Sequence, residues 1–185
     1  MIFFRWILGG VIIAFLLPWL FATCNSDITP DERGYIVKVG DKVENFAVTL
    51  TDGTEQQLSD FKAQVVILNF FASWCSVCRK EIPFIEKEVW QEFKDKNVVV
   101  VGVDFKEKLE TVNKFLNDMN ITYPVALDTA GTVFARFAQG GVTRNVVLDK
   151  DLKIIFLTRL FSEQEFNAMI ERIKAEINQA NVKSQ

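Results

Sequence analysis

Apolar residues recur along this chain at two spacings, and the spacings alternate. Val43-x-x-Phe46-x-Val48-x-Leu50 has the every-second-residue pattern of a half-buried strand. Thr51-Asp52-Gly53-Thr54 follows as a turn, with Gly53 free to take positive φ. Leu58-Ser59-Asp60-Phe61 then leads into Val65-Val66-Ile67-Leu68-Asn69-Phe70-Phe71, a run apolar enough for a strand buried on both sides. Ile82, Ile85, Val89 and Phe93 lie three and four apart on one helical face, and Pro83 inside that helix is expected to kink it.

Farther on, Asn97 to Asp104, with Val98-Val99-Val100-Val101, reads as a central parallel strand. Leu109 to Met119 reads as a helix, 124–127 as a short strand and 132–138 as a short helix. Residues 145–148 and 153–157 flank Asp149-Lys150-Asp151-Leu152 as a hairpin. A last helix presents Phe166, Met169, Ile170, Ile173 and Ile177 on one side. The order is strand, strand, helix, strand, helix, strand, helix, hairpin, helix. That order is an α/β fold: a β-α-β unit joined to a β-β-α unit, one mixed central sheet with helices on both faces. Length agrees, since 185 residues give room for one domain with a sizeable core.

The first residues stand apart. In 1–23 Arg5 is the only charge, and the stretch from Trp6 is apolar up to Thr23, the pattern of an export signal or a membrane anchor. Pro18 inside it suits a signal peptide somewhat better than an uninterrupted spanning helix. Leu20-Phe21-Ala22-Thr23-Cys24 resembles a bacterial lipobox, although Phe21 and Thr23 depart from its strictest form. Three outcomes stay open: a lipid on Cys24, an uncleaved anchor, or a cleaved soluble product. Each sets the domain outside the cytoplasmic membrane unless the topology is reversed. Residues 24–34 are polar and read as a tether, 35–180 as the domain and 181–185 as a tail.

Composition removes several functions. A net charge of −3, with no Lys/Arg cluster, leaves no basic footprint for nucleic acid. Histidine is absent and the cysteines number three. Cys75 and Cys78 have C-x-x-C spacing at the junction of a buried strand and a helix, the layout of a dithiol redox centre. Unpaired N–H groups and the dipole at a helix start stabilise an anion, so a thiolate at Cys75 is favoured there. Cys78, one turn deeper, can attack a mixed disulfide and release its partner. A structural zinc site normally takes four ligands, and neither a histidine nor a second cysteine pair exists to complete one. Copper delivery fails on the same lack of histidine, and no cofactor is implied.

Asn69-Phe70-Phe71-Ala72-Ser73-Trp74-Cys75-x-x-Cys78-Arg79-Lys80-Glu81-Ile82-Pro83 is similar, almost position by position, to the signature of the TlpA/ResA-like thioredoxins. These are membrane-tethered thiol-disulfide oxidoreductases of bacterial envelopes. Residues 46–61 also resemble that family's N-terminal strand-hairpin entry, so the resemblance covers about two thirds of the chain. It implies a thioredoxin-like fold with an N-terminal β-hairpin extension. It further implies a membrane-anchored enzyme facing the periplasm or extracytoplasmic side, acting on exported protein thiols or disulfides and fed by a membrane-bound electron donor. The direction it implies is reduction.

Carried over residue by residue, Cys75, Cys78 and Glu81 are the catalytic residues, while Trp74, Val142 and Thr143 line the substrate groove. Glu81 is a proton-transfer group or a solvated helix glutamate, and Trp74 lines the redox surface or fills core. Asn69 stands where cytoplasmic thioredoxins have a buried aspartate. Thr143 is the main departure, because the family usually has a cis-proline there. A non-proline cis bond costs about 2.5–4 kcal/mol, so Val142–Thr143 is expected to be trans. Arg144 beside it is surface charge or a group favouring thiolate at Cys75. Peroxiredoxins share the fold but need threonine and proline where this chain has Ala72 and Leu68. The alternative from another class is a thioredoxin-like binding or assembly module with weak or regulatory redox activity, kept open by Thr143.

Overall fold

The computed structural model of the protein describes residues 30–61 and 63–183. The segment 1–23, Cys24 and the first part of the tether lie outside the described residues. Seven strands form one sheet: β1 (Ala47–Leu50), β2 (Glu55–Gln57), β3 (Val65–Phe71), β4 (Val98–Phe105), β5 (Val125–Asp128), β6 (Arg144–Asp149) and β7 (Ile154–Arg159). Their spatial order is β2-β1-β5-β4-β3-β6-β7. β3, β4 and β5 run parallel, and β1, β6 and β7 join antiparallel to their neighbours. The valine run thus occupies the middle of the sheet. Every residue of β3 is buried, which the unbroken apolar run demands.

The β1–β2 hairpin turns at Gly53, φ +87°, a conformation open to glycine without steric cost. A 3-10 turn follows at Leu58–Phe61. After β3 comes α1 (Ser76–Phe84), continued by a π-helical stretch, Ile85–Trp90, and a last turn, α2 (Gln91–Phe93). Pro83 therefore does not end the helix. It lacks the N–H that would bond back one turn, and widened π-type winding begins two residues later. α3 (Leu109–Met119) connects β4 to β5, and α4 (Glu163–Lys183) closes the domain.

Alternation along β3 separates two cores. Phe71 meets Phe115 of α3 at 5.6 Å between ring centroids, while Asn69 on the same face reaches Glu81 of α1. Phe84 of α1 stacks near Phe161 and Phe166, drawing α4 onto that face. Phe70 points the other way, to Phe134 and Phe137 around the short 3-10 helix Phe134–Arg136. Residues Asp31 to Tyr35 close a tight turn, with Asp31 N–H bonded to Tyr35 O at 2.7 Å and Gly34 N–H to Asp31 O at 2.8 Å. Tyr35 is buried, bridges to Ala138, and its hydroxyl donates to Thr158 O. No helix among the described residues is long and apolar enough to cross a membrane.

Candidate redox site

Strand β3 delivers the chain to a short loop, 72–75, from which α1 starts. Cys75 is the N-cap of α1 in extended backbone, φ −82° and ψ 108°, and its Sγ accepts the N–H of Cys78 at 3.1 Å. Cys75 and Cys78 are disulfide-bonded, with Cα atoms 5.2 Å apart. Their accessibilities differ in the sense that their positions dictate. Cys75 is 6% exposed at the helix mouth, and Cys78 is fully buried. Trp74 is 66% exposed, so it is surface beside the disulfide and not core.

The loop before the cysteines is held from two sides. Glu107, just past β4, accepts from Ser73 N–H at 2.5 Å and from Ser73 Oγ at 2.6 Å. Arg79 Nε donates to Ser73 O at 2.9 Å while its guanidinium lies 4.8 Å over the Phe115 ring. Glu107 N–H is bonded in turn to Asp104 Oδ2 at 3.2 Å. Asp104 is fully buried, and its Oδ1 has no hydrogen-bond partner among the described residues. Burial first, then the hydrogen bond and charge of Glu107, push the Asp104 carboxyl up to about 8. Sequence reading did not single out Ser73, Asp104 or Glu107. The available signal was a carboxylate next to the end of the apolar run that became the central strand.

Glu81 is not a solvated helix residue. It is 1% exposed, and Oε1 accepts from Asn145 Nδ2 at 2.8 Å. Oε2 is bonded to the Thr143 hydroxyl and lies 3.5 Å from Asn69 Nδ2. Asn69 Nδ2 also donates to Asn145 Oδ1 at 2.8 Å, and Asn145 N–H and Nδ2 lie 3.2 Å and 2.9 Å from Thr158 Oγ1. Burial raises the Glu81 carboxyl above its ordinary range; the bonds from Thr143, Asn145 and Asn69 act in the opposite sense. Asn145 was missed as a partner of Glu81, although an asparagine opening a valine-rich strand was the visible clue.

Two expectations about the loop that enters β6 are corrected. The Val142–Thr143 peptide bond is cis, not trans. The trans preference is a local rule, and here tertiary contacts fix both sides of the bond: Val142 and Thr143 are buried, Thr143 O accepts from Leu160 N–H at 3.1 Å, and the Thr143 side chain is bound to Glu81. Arg144 is not surface charge. It is 1% exposed, and its guanidinium donates to Gly141 O at 2.8 Å, Gly140 O at 2.9 Å and Arg33 O at 2.7 Å, while lying 4.4 Å over the Tyr35 ring. Loop carbonyls and an aromatic face replace water around the charge. Among the described residues no group of three or more Cys, His, Asp or Glu is placed to hold a metal.

Four similarities bear on this arrangement. Residues 39–156 match the AhpC/TSA family. The thiol-disulfide oxidoreductase ResA of Bacillus thuringiensis subsp. konkukian is 32% identical over 128 residues, 66% of this chain and 73% of that protein. A proposed protein disulfide isomerase from Bacteroides thetaiotaomicron has a solution structure that superposes with TM-score 0.76 at 42% identity, over 82% of this chain and 97% of its own. A proposed thiol:disulfide interchange protein DsbE from Chlorobium tepidum gives TM-score 0.68 at 28% identity, over 76% of this chain and 99% of its own.

Proposed function

Since the chain belongs to the AhpC/TSA family and is a thiol-disulfide oxidoreductase of thioredoxin-like fold, we propose that it reduces disulfides in exported client proteins, Cys75 attacking and Cys78 resolving. One observation supports the assignment of roles: Cys75 keeps 6% exposure where Cys78 has none, and it is the one the helix N-terminus addresses. Its thiolate attacks one sulfur of a client disulfide, forming a Cys75–client disulfide and releasing the other client sulfur as a thiolate. Cys78 then loses its proton and attacks Cys75 Sγ. The Cys75–Cys78 disulfide forms, and the second client sulfur leaves reduced.

Glu81 is the buried base for the Cys78 proton, three residues farther along the same helix. Trp74, Val142 and Thr143 form the client-facing rim. The same reading holds the domain outside the cytoplasmic membrane, by residues 1–23 or by a lipid on Cys24, with electrons drawn from a membrane-bound donor. The apolar, singly charged N-terminal stretch supports it.

The test is a trap. Cys78→Ser leaves Cys75 able to attack and nothing to release the client, so mixed disulfides with envelope proteins accumulate. A folded variant that captures none overturns the reading. For direction, a reductant has a potential nearer thioredoxin's, about −270 mV, than that of a strong periplasmic oxidant at about −120 mV.

A further inference from the structure

Thr143 occupies a position where the resembled family has proline, a residue without a hydroxyl. Here that hydroxyl is bonded to Glu81, 62 positions away in sequence. The other groups on the Glu81 carboxylate are the side-chain amides of Asn145 and Asn69. Their orientations are fixed: Asn145 Oδ1 accepts from Asn69, and Asn69 Oδ1 accepts from the Tyr123 hydroxyl at 3.4 Å. Both amides therefore present N–H to Glu81 and can only donate. A hydroxyl can donate or accept. Thr143 is thus the one partner of Glu81 suited to both of its protonation states. It donates when Glu81 is ionised and accepts the acid proton when Glu81 is neutral.

We propose that Thr143 is a positioning residue that acts through Glu81: its hydroxyl bonds the ionised carboxylate more strongly than the neutral acid and so sets the pH at which the resolving step runs. The proposal rests on the oxidoreductase reading above. During resolution Cys78 gives up one proton and Glu81 gains one, with no change in the electrons exchanged between client and dithiol. As that happens the Thr143 hydroxyl turns from donor to acceptor. Among the described residues the ionised form of Glu81 has no cationic partner, so each neutral donor counts. The other titratable groups acting on it are Glu165 of α4 and the buried hydroxyl of Tyr123 before β5, besides the cysteines of its own helix. Glu165 and an ionised Tyr123 both oppose a negative Glu81.

The experiment compares Thr143→Val, Thr143→Ser and Thr143→Pro in the full chain, following the rate of mixed-disulfide resolution against pH. Removing the hydroxyl withdraws a donor from the carboxylate, so Thr143→Val moves the profile upward by about one pH unit. Thr143→Ser keeps the wild-type profile, and Thr143→Pro behaves as Thr143→Val does. In a Glu81→Gln background the Thr143→Val change no longer moves the profile. A wild-type profile in folded Thr143→Val, or a shift that persists with Gln at position 81, overturns the proposal. Failure of the parent reading looks different: no mixed disulfide forms at any pH, whatever stands at position 143.

Discussion

The guanidinium of Arg144 donates at 2.7 Å to the backbone carbonyl of Arg33, 111 positions earlier, and the same side chain bonds the carbonyls of Gly140 and Gly141. One buried cation therefore ties the entry of the domain to the loop that precedes Thr143. Gly34 fits this contact because an added Cβ would stand 3.0 Å from Arg144 Nη2, at a backbone φ of +80°.

Arg144→Met should destabilise the domain by about 1–3 kcal/mol, because three backbone carbonyls lose the donors of one buried guanidinium. Arg144→Lys should recover little, since an ammonium cannot match the planar fork that serves all three. Urea denaturation measures the loss. Hydrogen exchange at Ile36, whose N–H bonds Phe137 O at 2.9 Å, should accelerate alongside.

Asp104→Asn should stabilise the protein at pH 7 and flatten its pH dependence. The folded-state carboxyl is raised to about 8 from an ordinary value of 3.8. Between those values the folded state binds the extra proton, so stability falls as pH rises through the window from about 4 to 8. Asparagine removes that fall, and the gain at pH 7 should be at least about 1 kcal/mol. Denaturation midpoints at pH 5 and pH 8 decide it; an unchanged slope contradicts the assignment.

Trp74→Ala should leave stability within about 0.5 kcal/mol, because the ring is mostly exposed. Reduction of a protein disulfide should slow by about tenfold through lost apolar contact beside Cys75. Reaction with a small dithiol should change much less. Equal slowing with both substrates would count against a client-facing role.

Gly102→Ala should destabilise by about 1–3 kcal/mol. An added methyl in the middle of β4 would lie 2.9 Å from Phe71 Cε1, 2.9 Å from Val125 Cγ2 and 3.0 Å from Tyr123 Cε2. All three are side chains of the packed layer between β4 and α3, with little room to retreat. A thermal scan reports it.

The apolar runs by themselves determined every described strand except β2, the buried parallel β3 and β4 above all, because a valine-rich stretch is stable only where both faces are covered. Polar Glu55–Gln57, by contrast, becomes a strand by pairing with β1. The C-x-x-C spacing at a strand-to-helix junction determined the redox centre, since only local geometry is needed to bring two cysteines one turn apart. Tertiary structure decided the rest. Glu81 reads in sequence as a proton-transfer group or a solvated helix glutamate; side chains of Asn69, Thr143 and Asn145 make it a buried, hydrogen-bonded acid. Arg144 reads as surface charge or a group favouring thiolate at Cys75 until the carbonyl of distant Arg33 joins those of Gly140 and Gly141 around it. The Val142–Thr143 bond follows from its neighbours and not from its own preference. In each case the deciding partner lies more than 10 residues away along the chain. Periodicity and spacing report only what a segment does with its near neighbours.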